Sequence, residues 1–151
     1  MTTLLYFEDL PAGTVLRASR PVTLDRDAVL EFARAYDPQP AHLGEEAAAA
    51  SQFGTFCASG WQTVGVTMRM MVETMPIAGG GMGAGVEKLN WPRMVFPGDT
   101  LTAEIEILSA RVSRSRPDKG VAQVRCVTRN QRDEVVLELT STILLPRKRT
   151  A

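Results

Sequence analysis

The chain has 151 residues, 44% of them apolar and 23% charged, ordinary values for a soluble domain large enough to bury a real core. Its 17 basic and 17 acidic residues cancel, so no electrostatic footprint points to nucleic acid or to an anionic membrane surface. Two cysteines, Cys57 and Cys126, form no C-x-x-C pair and with one histidine make a poor zinc set, so they are expected as buried small apolar residues in a reducing cytoplasm.

The opening MTTLLYFEDL lacks the basic start and long apolar run of a signal peptide. No stretch reaches the length of a membrane span. Residues 1–151 are therefore expected to form one domain, helical in its first half and strand-rich in its second. Thr14 to Thr23 reads as a short β-like segment interrupted by Pro21. Thr23 is the expected N-cap of a first helix, with Asp25 and Asp27 in the first turn, where acidic groups suit the helix dipole. Leu24, Ala28, Val29, Phe32 and Ala35 give that helix an apolar stripe. Pro38 disfavours helical geometry at the residue before it, so the helix should end at Asp37.

The segment Tyr36-Asp37-Pro38-Gln39-Pro40-Ala41-His42 is the most informative in the chain. His42 is the only histidine, the residue type that most often serves as general acid or base near neutral pH. A nearby carboxylate can orient the ring or act as the second acid or base. Taken alone, the pair also fits an ordinary surface or structural contact.

Leu43 to Ser51, with Glu45, Glu46 and four alanines, is a short helix by propensity. From Gly60 to about Met75 the chain reads as a mostly apolar helix, with Trp61, Val64, Met68, Met71, Val72 and Met75 at helical intervals. Its polar residues are too sparse for a surface helix, so it is expected to be buried and wrapped by other structure. Its methionines fit a plain core or a flexible pocket lining. Ala78 to Gly85 is a glycine-rich stretch without phosphate-binding spacing, and it reads as a mobile connection.

Strands follow: Val86 to Trp91, then Leu101 to Ile107 with apolar residues alternating against Thr102, Glu104 and Glu106, then Val121 to Thr128 and Val135 to Leu144. Pro97-Gly98-Asp99 is a turn signal, and Asn130 to Asp133 is a hairpin loop. Short loops imply antiparallel pairing. Arg111, Arg114, Arg116 and Lys119 surround a Pro117-Asp118-Lys119-Gly120 tip that reads as a solvated hairpin, with contact to coenzyme A phosphates as the alternative. Arg147-Lys148-Arg149 is expected as a frayed, solvated end. The expected fold class is α+β: a curved antiparallel sheet wrapped around one long central helix, the hotdog arrangement.

The first N–H groups of a helix lack internal partners and carry partial positive charge. At Gly60 they could form an oxyanion hole for a thioester, the glycine letting a ligand carbonyl approach. Alternatively Ser59 is an N-cap and Gly60 merely permits tight packing.

Asp37-Pro38-Gln39-Pro40-Ala41-His42-Leu43, then Phe53-Gly54, then Ala58-Ser59-Gly60, resembles the hydratase-2 motif of MaoC-like (R)-specific enoyl-CoA hydratases. The likeness runs from Phe7-Glu8-Asp9-Leu10 across nearly the whole chain and includes Trp91 to Thr100, whose Pro-Gly-Asp turn leads into a strand. In that family the pattern is Asp-x-Asn-Pro-x-His, a short helix, then His-Gly opening the central helix. The resemblance implies catalytic Asp37 and His42, an oxyanion-hole amide at Gly60, and substrate contacts from Gln39, Ser59 and Trp61. It implies reversible hydration of an enoyl thioester or dehydration of a 3-hydroxyacyl thioester, with coenzyme A as part of the substrate and neither a metal nor a separate cofactor. A homodimer, or a higher assembly of dimers, with pockets at the subunit boundary is also implied, and an open edge strand points the same way. Three positions depart from the family: Gln39 stands for Asn, Ser59 for His, and Met68 for a hydroxyl residue that often supports the Asp, although Thr63 and Thr67 are near. Rival readings are a hotdog acyl-CoA thioesterase, with Glu45, Glu46 or Glu73 as its base, and a non-catalytic acyl-binding subunit.

Overall fold

A computed structural model describes residues 1–149. The helices are α1 (Arg26–Tyr36), α2 (Glu45–Ala49) and α3 (Gly60–Thr74). The strands are β1 (Val15–Arg17), β2 (Val22–Thr23), β3 (Met82–Asn90), β4 (Thr100–Val112), β5 (Lys119–Arg129) and β6 (Val135–Pro146). They form one antiparallel sheet in the order β1-β4-β5-β6-β3, with β2 also paired to β4. Helix α3 packs on the sheet at β4 and β5, the expected sheet-and-helix arrangement. No helix among the described residues is long and apolar enough to cross a membrane.

Alternation decides the dry face. Leu101, Ala103, Ile105 and Ile107 of β4 are buried, and buried Cys126 and Val124 of β5 pair with Ile105 and Ile107. One row, Leu16–Ile105–Cys126–Leu139–Leu89, crosses the sheet from β1 to β3. The opposite face carries Arg125, Glu106, Glu138 and Lys88 in exposed ion pairs, each contributing little to stability. Both cysteines are buried, and burial pushes the Cys126 thiol up to about 12.

Four local expectations are corrected. Asp25, not Thr23, caps α1: its side chain accepts from the Ala28 N–H at 2.8 Å, while Thr23 lies in β2 with its hydroxyl against Thr100. The core face of α1 is Val29, Leu30 and Ala33, and Ala35 is exposed. The glycine-rich stretch is not a free connection, because from Met82 onward it is β3, an edge strand paired with β6. The C-terminal cations are not frayed either: Arg147 reaches Glu8 and the Pro117 carbonyl, and Lys148 reaches Glu8 and Asp9.

A further correction concerns α3, which is buried on one side only. Thr63, Thr67, Met70 and Met71 face inward, while Trp61, Met68 and Val72 are 58%, 47% and 61% exposed. Positions 61, 68 and 72 stand one above another on a helix, and positions 63, 67 and 70 lie on the opposite side. Buried hydroxyls are tolerated because they pair: Thr67 and Thr128 of β5 share a hydrogen bond of 2.7 Å. Gln62 ties α3 to α1 by donating to the Ala28 carbonyl at 3.0 Å.

Candidate active site

Three elements converge beside the start of α3. The last residue of α1 hands the chain to Asp37, whose N–H still closes the helix on Ala33 at 3.0 Å. Pro38 and Pro40 then force a tight single turn at Pro40–His42, which points the imidazole back at the carboxylate. His42 Nε2 lies 3.4 Å from Asp37 Oδ2, with only 8% of the imidazole and 14% of the carboxylate side chain exposed.

The ring's other nitrogen sets its tautomer. Nδ1 is 2.7 Å from the Cys57 carbonyl oxygen, which can only accept, so Nδ1 carries the hydrogen and the neutral ring keeps its lone pair on Nε2. Asp37 is held on both oxygens: Gln39 Nε2 donates to Oδ1 and Ser59 Oγ to Oδ2, each at 2.7 Å. Burial raises the Asp37 pKa, but the hydrogen bonds from Ser59 and Gln39 and the charge of His42 outweigh it, leaving the carboxyl below its ordinary value. Ser59 also accepts from the Trp61 N–H at 3.2 Å, so one hydroxyl caps α3 and steadies the carboxylate.

These residues border a pocket of about 300 Å³, lined by Asp37, Gln39, His42, Gly60 and Trp61 together with Phe53, Cys57, Ala58, Thr63, Trp91, Arg93, Met94 and Val95. Of the six residues singled out from the sequence, five line it and Ser59 stands directly behind Asp37. The Gly60 N–H, first in α3, has no protein acceptor among the described residues. Of the two reasons offered for a glycine there, tight packing is the one seen on its Cβ side: the space a Cβ would take is filled by the Trp91 indole.

Met68 is not among the lining residues, and the hydroxyl supporting Asp37 is Ser59. Glu45 pairs with Arg26 and Glu73 with Arg69, and Glu45, Glu46 and Glu73 all lie outside the pocket lining. Sequence reasoning passed over Trp91 to Val95 as pocket wall. The signal available was two large apolar residues, Trp91 and Met94, around Pro92 in a segment too short and irregular for a core strand. Among the described residues, no group of three or more His, Cys, Asp or Glu side chains is placed to hold a metal ion.

The same architecture occurs in known proteins. The crystal structure of a MaoC-like dehydratase from Rhodospirillum rubrum is 40% identical, with a TM-score of 0.89 over 97% of this chain and 99% of that one. A 3-hydroxybutyryl-CoA dehydratase of Methylorubrum extorquens is 31% identical over 148 residues, covering 97% of this chain and 88% of the relative. A Mycobacterium tuberculosis protein with a double hotdog fold superposes with a TM-score of 0.77 at 22% identity, over 98% of this chain and 46% of that one, a likeness of fold alone. The family described as MaoC like domain matches residues 8–130, a span that runs from the N-terminal turn through the Asp37–His42 loop, α3 and β5, and on that match the chain belongs to the MaoC-like family and has the hotdog fold.

Proposed function

We propose that this protein catalyses the reversible hydration of an enoyl-CoA thioester to a 3-hydroxyacyl-CoA thioester. The observation that carries the reading is the pairing of two lone-pair sites, Asp37 Oδ2 and His42 Nε2, 3.4 Å apart at the pocket that Gly60 also lines. A water can donate to both. The pair takes one proton as the water oxygen bonds to the β-carbon. The π electrons move toward the thioester oxygen, where the Gly60 N–H stabilises the enolate-like charge. The pair then gives one proton to the α-carbon, so its own proton count is restored, and dehydration is the reverse. Coenzyme A enters as part of the substrate. The named activity of the Methylorubrum relative supports this reaction class. The apolar walls from Phe53, Trp61, Trp91 and Met94 fit an acyl chain.

Loss of conjugated absorbance across a panel of enoyl-CoA thioesters tests the activity. His42→Ala and Asp37→Ala are each expected to lose at least ~100-fold in turnover while folded, the usual scale for general acid–base groups. Near-normal turnover in both folded variants would overturn the assignment.

We also propose that the working unit is at least a homodimer. The uncovered stripe of α3 and the edge strand β3, whose residues are exposed except for half-buried Leu89, are apolar surface and unpaired backbone that a second copy would cover.

A further inference from the structure

The side of Gly60 where a side chain would stand is filled by Trp91. A Cβ on Gly60 would lie 2.7 Å from Trp91 Nε1 and 2.8 Å from Cε2, well inside the optimal separation of non-bonded atoms. The same Nε1 donates to the Gly60 carbonyl at 2.9 Å. The indole also meets Trp61 edge-on, with ring centroids 5.4 Å apart. Trp91 directly follows β3, and the segment leaving it is tied to the residues before α3 a second time, where the Ala58 N–H donates to the Val95 carbonyl at 2.8 Å. Glycine is the most permissive residue of a backbone, yet here it is the first residue of α3 and borders the pocket. The indole supplies the restraint that a missing Cβ cannot, with its N–H on the Gly60 carbonyl and its ring where a Cβ would stand.

We propose that Trp91 is a positioning residue for the thioester oxygen: it fixes the Gly60 backbone so that the Gly60 N–H meets the charge developing on that oxygen. The proposal rests on the hydration reading above. A donor helps the transition state most when it need not reorient as charge develops. Loosening it therefore lowers turnover more than it weakens binding.

Trp91→Phe keeps an aromatic ring and removes the N–H. Its kcat on crotonyl-CoA is expected to fall about 10-fold with KM within about two-fold, a fraction of the ~10²–10³ lost when an oxyanion donor is deleted outright. A second readout separates positioning from folding. Butyryl-CoA with an isotope-labelled thioester carbonyl binds without reacting, and infrared difference spectra report how strongly its carbonyl is polarised. The bound carbonyl is expected at lower frequency than the free one in the parent protein, with at least half of that shift lost in Trp91→Phe. Gly60→Ala, whose methyl displaces the same indole, is expected to lose the shift too and serves if Trp91→Phe does not fold. A parent protein that hydrates crotonyl-CoA beside a Trp91→Phe variant with undiminished carbonyl shift overturns the role of Trp91 alone, whether or not the variant is less stable. Absence of hydration by the parent protein on every enoyl-CoA tried overturns the proposal together with the reading beneath it.

Discussion

Asp37 occupies the C-cap of α1, the end of a helix where the dipole least favours a negative charge. What keeps it ionised is imported from elsewhere in the chain: the Ser59 hydroxyl and the Gln39 amide, one on each oxygen. Burial acts against them and is the largest single influence on this carboxyl, yet the net shift is downward. Because the folded pKa lies below the unfolded value of about 3.9, ionised Asp37 adds stability above that value. The contribution disappears as pH falls through the lower folded pKa. Ser59→Ala removes one of the groups that lower it, so the folded pKa moves up. The Asp37 carboxyl is then expected to titrate at higher pH than in the parent protein, and loss of the N-cap should cost about 1 kcal/mol of stability. NMR titration of the Asp37 side-chain carboxyl and denaturant melts of the two proteins check both effects, and an unmoved carboxyl titration would show that Ser59 does not govern this carboxylate. The proximity of Asp37 and His42 was legible because two prolines hold them in one local turn, whereas Gly60 was reached only through the start of α3 and the family resemblance. The support of Asp37 was misjudged for the opposite reason. In sequence, Thr63 and Thr67 beside Met68 are the hydroxyls nearest the expected position, whereas the donor is Ser59, which caps the helix.

At the level of elements, strands with clean alternation were readable from β4 onward, and the end of α1 was fixed by Pro38. Where the reading failed, a partner far away in sequence made the difference. Glycine and alanine weaken strand propensity, so Met82–Gly85 read as loop, but pairing with Ile143 and Leu144 of β6 makes it strand. Arg147 and Lys148 found Glu8 and Asp9 near the other end of the chain. A side chain at position 120 would collide with the Phe7 ring, which occupies the space beside Gly120. α3 read as buried all round, and only the fold shows that its inner face includes Thr67, which meets Thr128. That buried pair yields a double-mutant test. Thr67→Val or Thr128→Val alone leaves one hydroxyl without a partner and should cost ~1–3 kcal/mol, whereas the double change removes both polar groups and should cost much less than the sum. Additive losses in denaturant titrations would mean that the hydrogen bond does not couple α3 to the sheet.

For the whole molecule, the sheet is open at β3 and one side of α3 is bare. Trp61, Met68 and Val72 form an apolar stripe on the helix that begins at the pocket, and Met82 and Val86 are exposed on the edge strand. Apolar residues spread around most of a helix are what made α3 read as fully wrapped. A single chain wraps only the half that meets β4 and β5, and the proposed second copy would bury the remaining apolar half. Closed two-fold pairing satisfies a free edge and a free face at once, because each copy presents both. Light scattering at low micromolar protein is therefore expected to give a mass of at least two chains. Val72→Glu places a charge in the centre of the stripe, where a partner would have to desolvate it. It is expected to shift the protein toward monomer and to lower hydration activity with it, since Trp61 belongs both to the stripe and to the pocket wall. A parent chain that stays monomeric and fully active at these concentrations would show that the bare face of α3 is not a subunit contact.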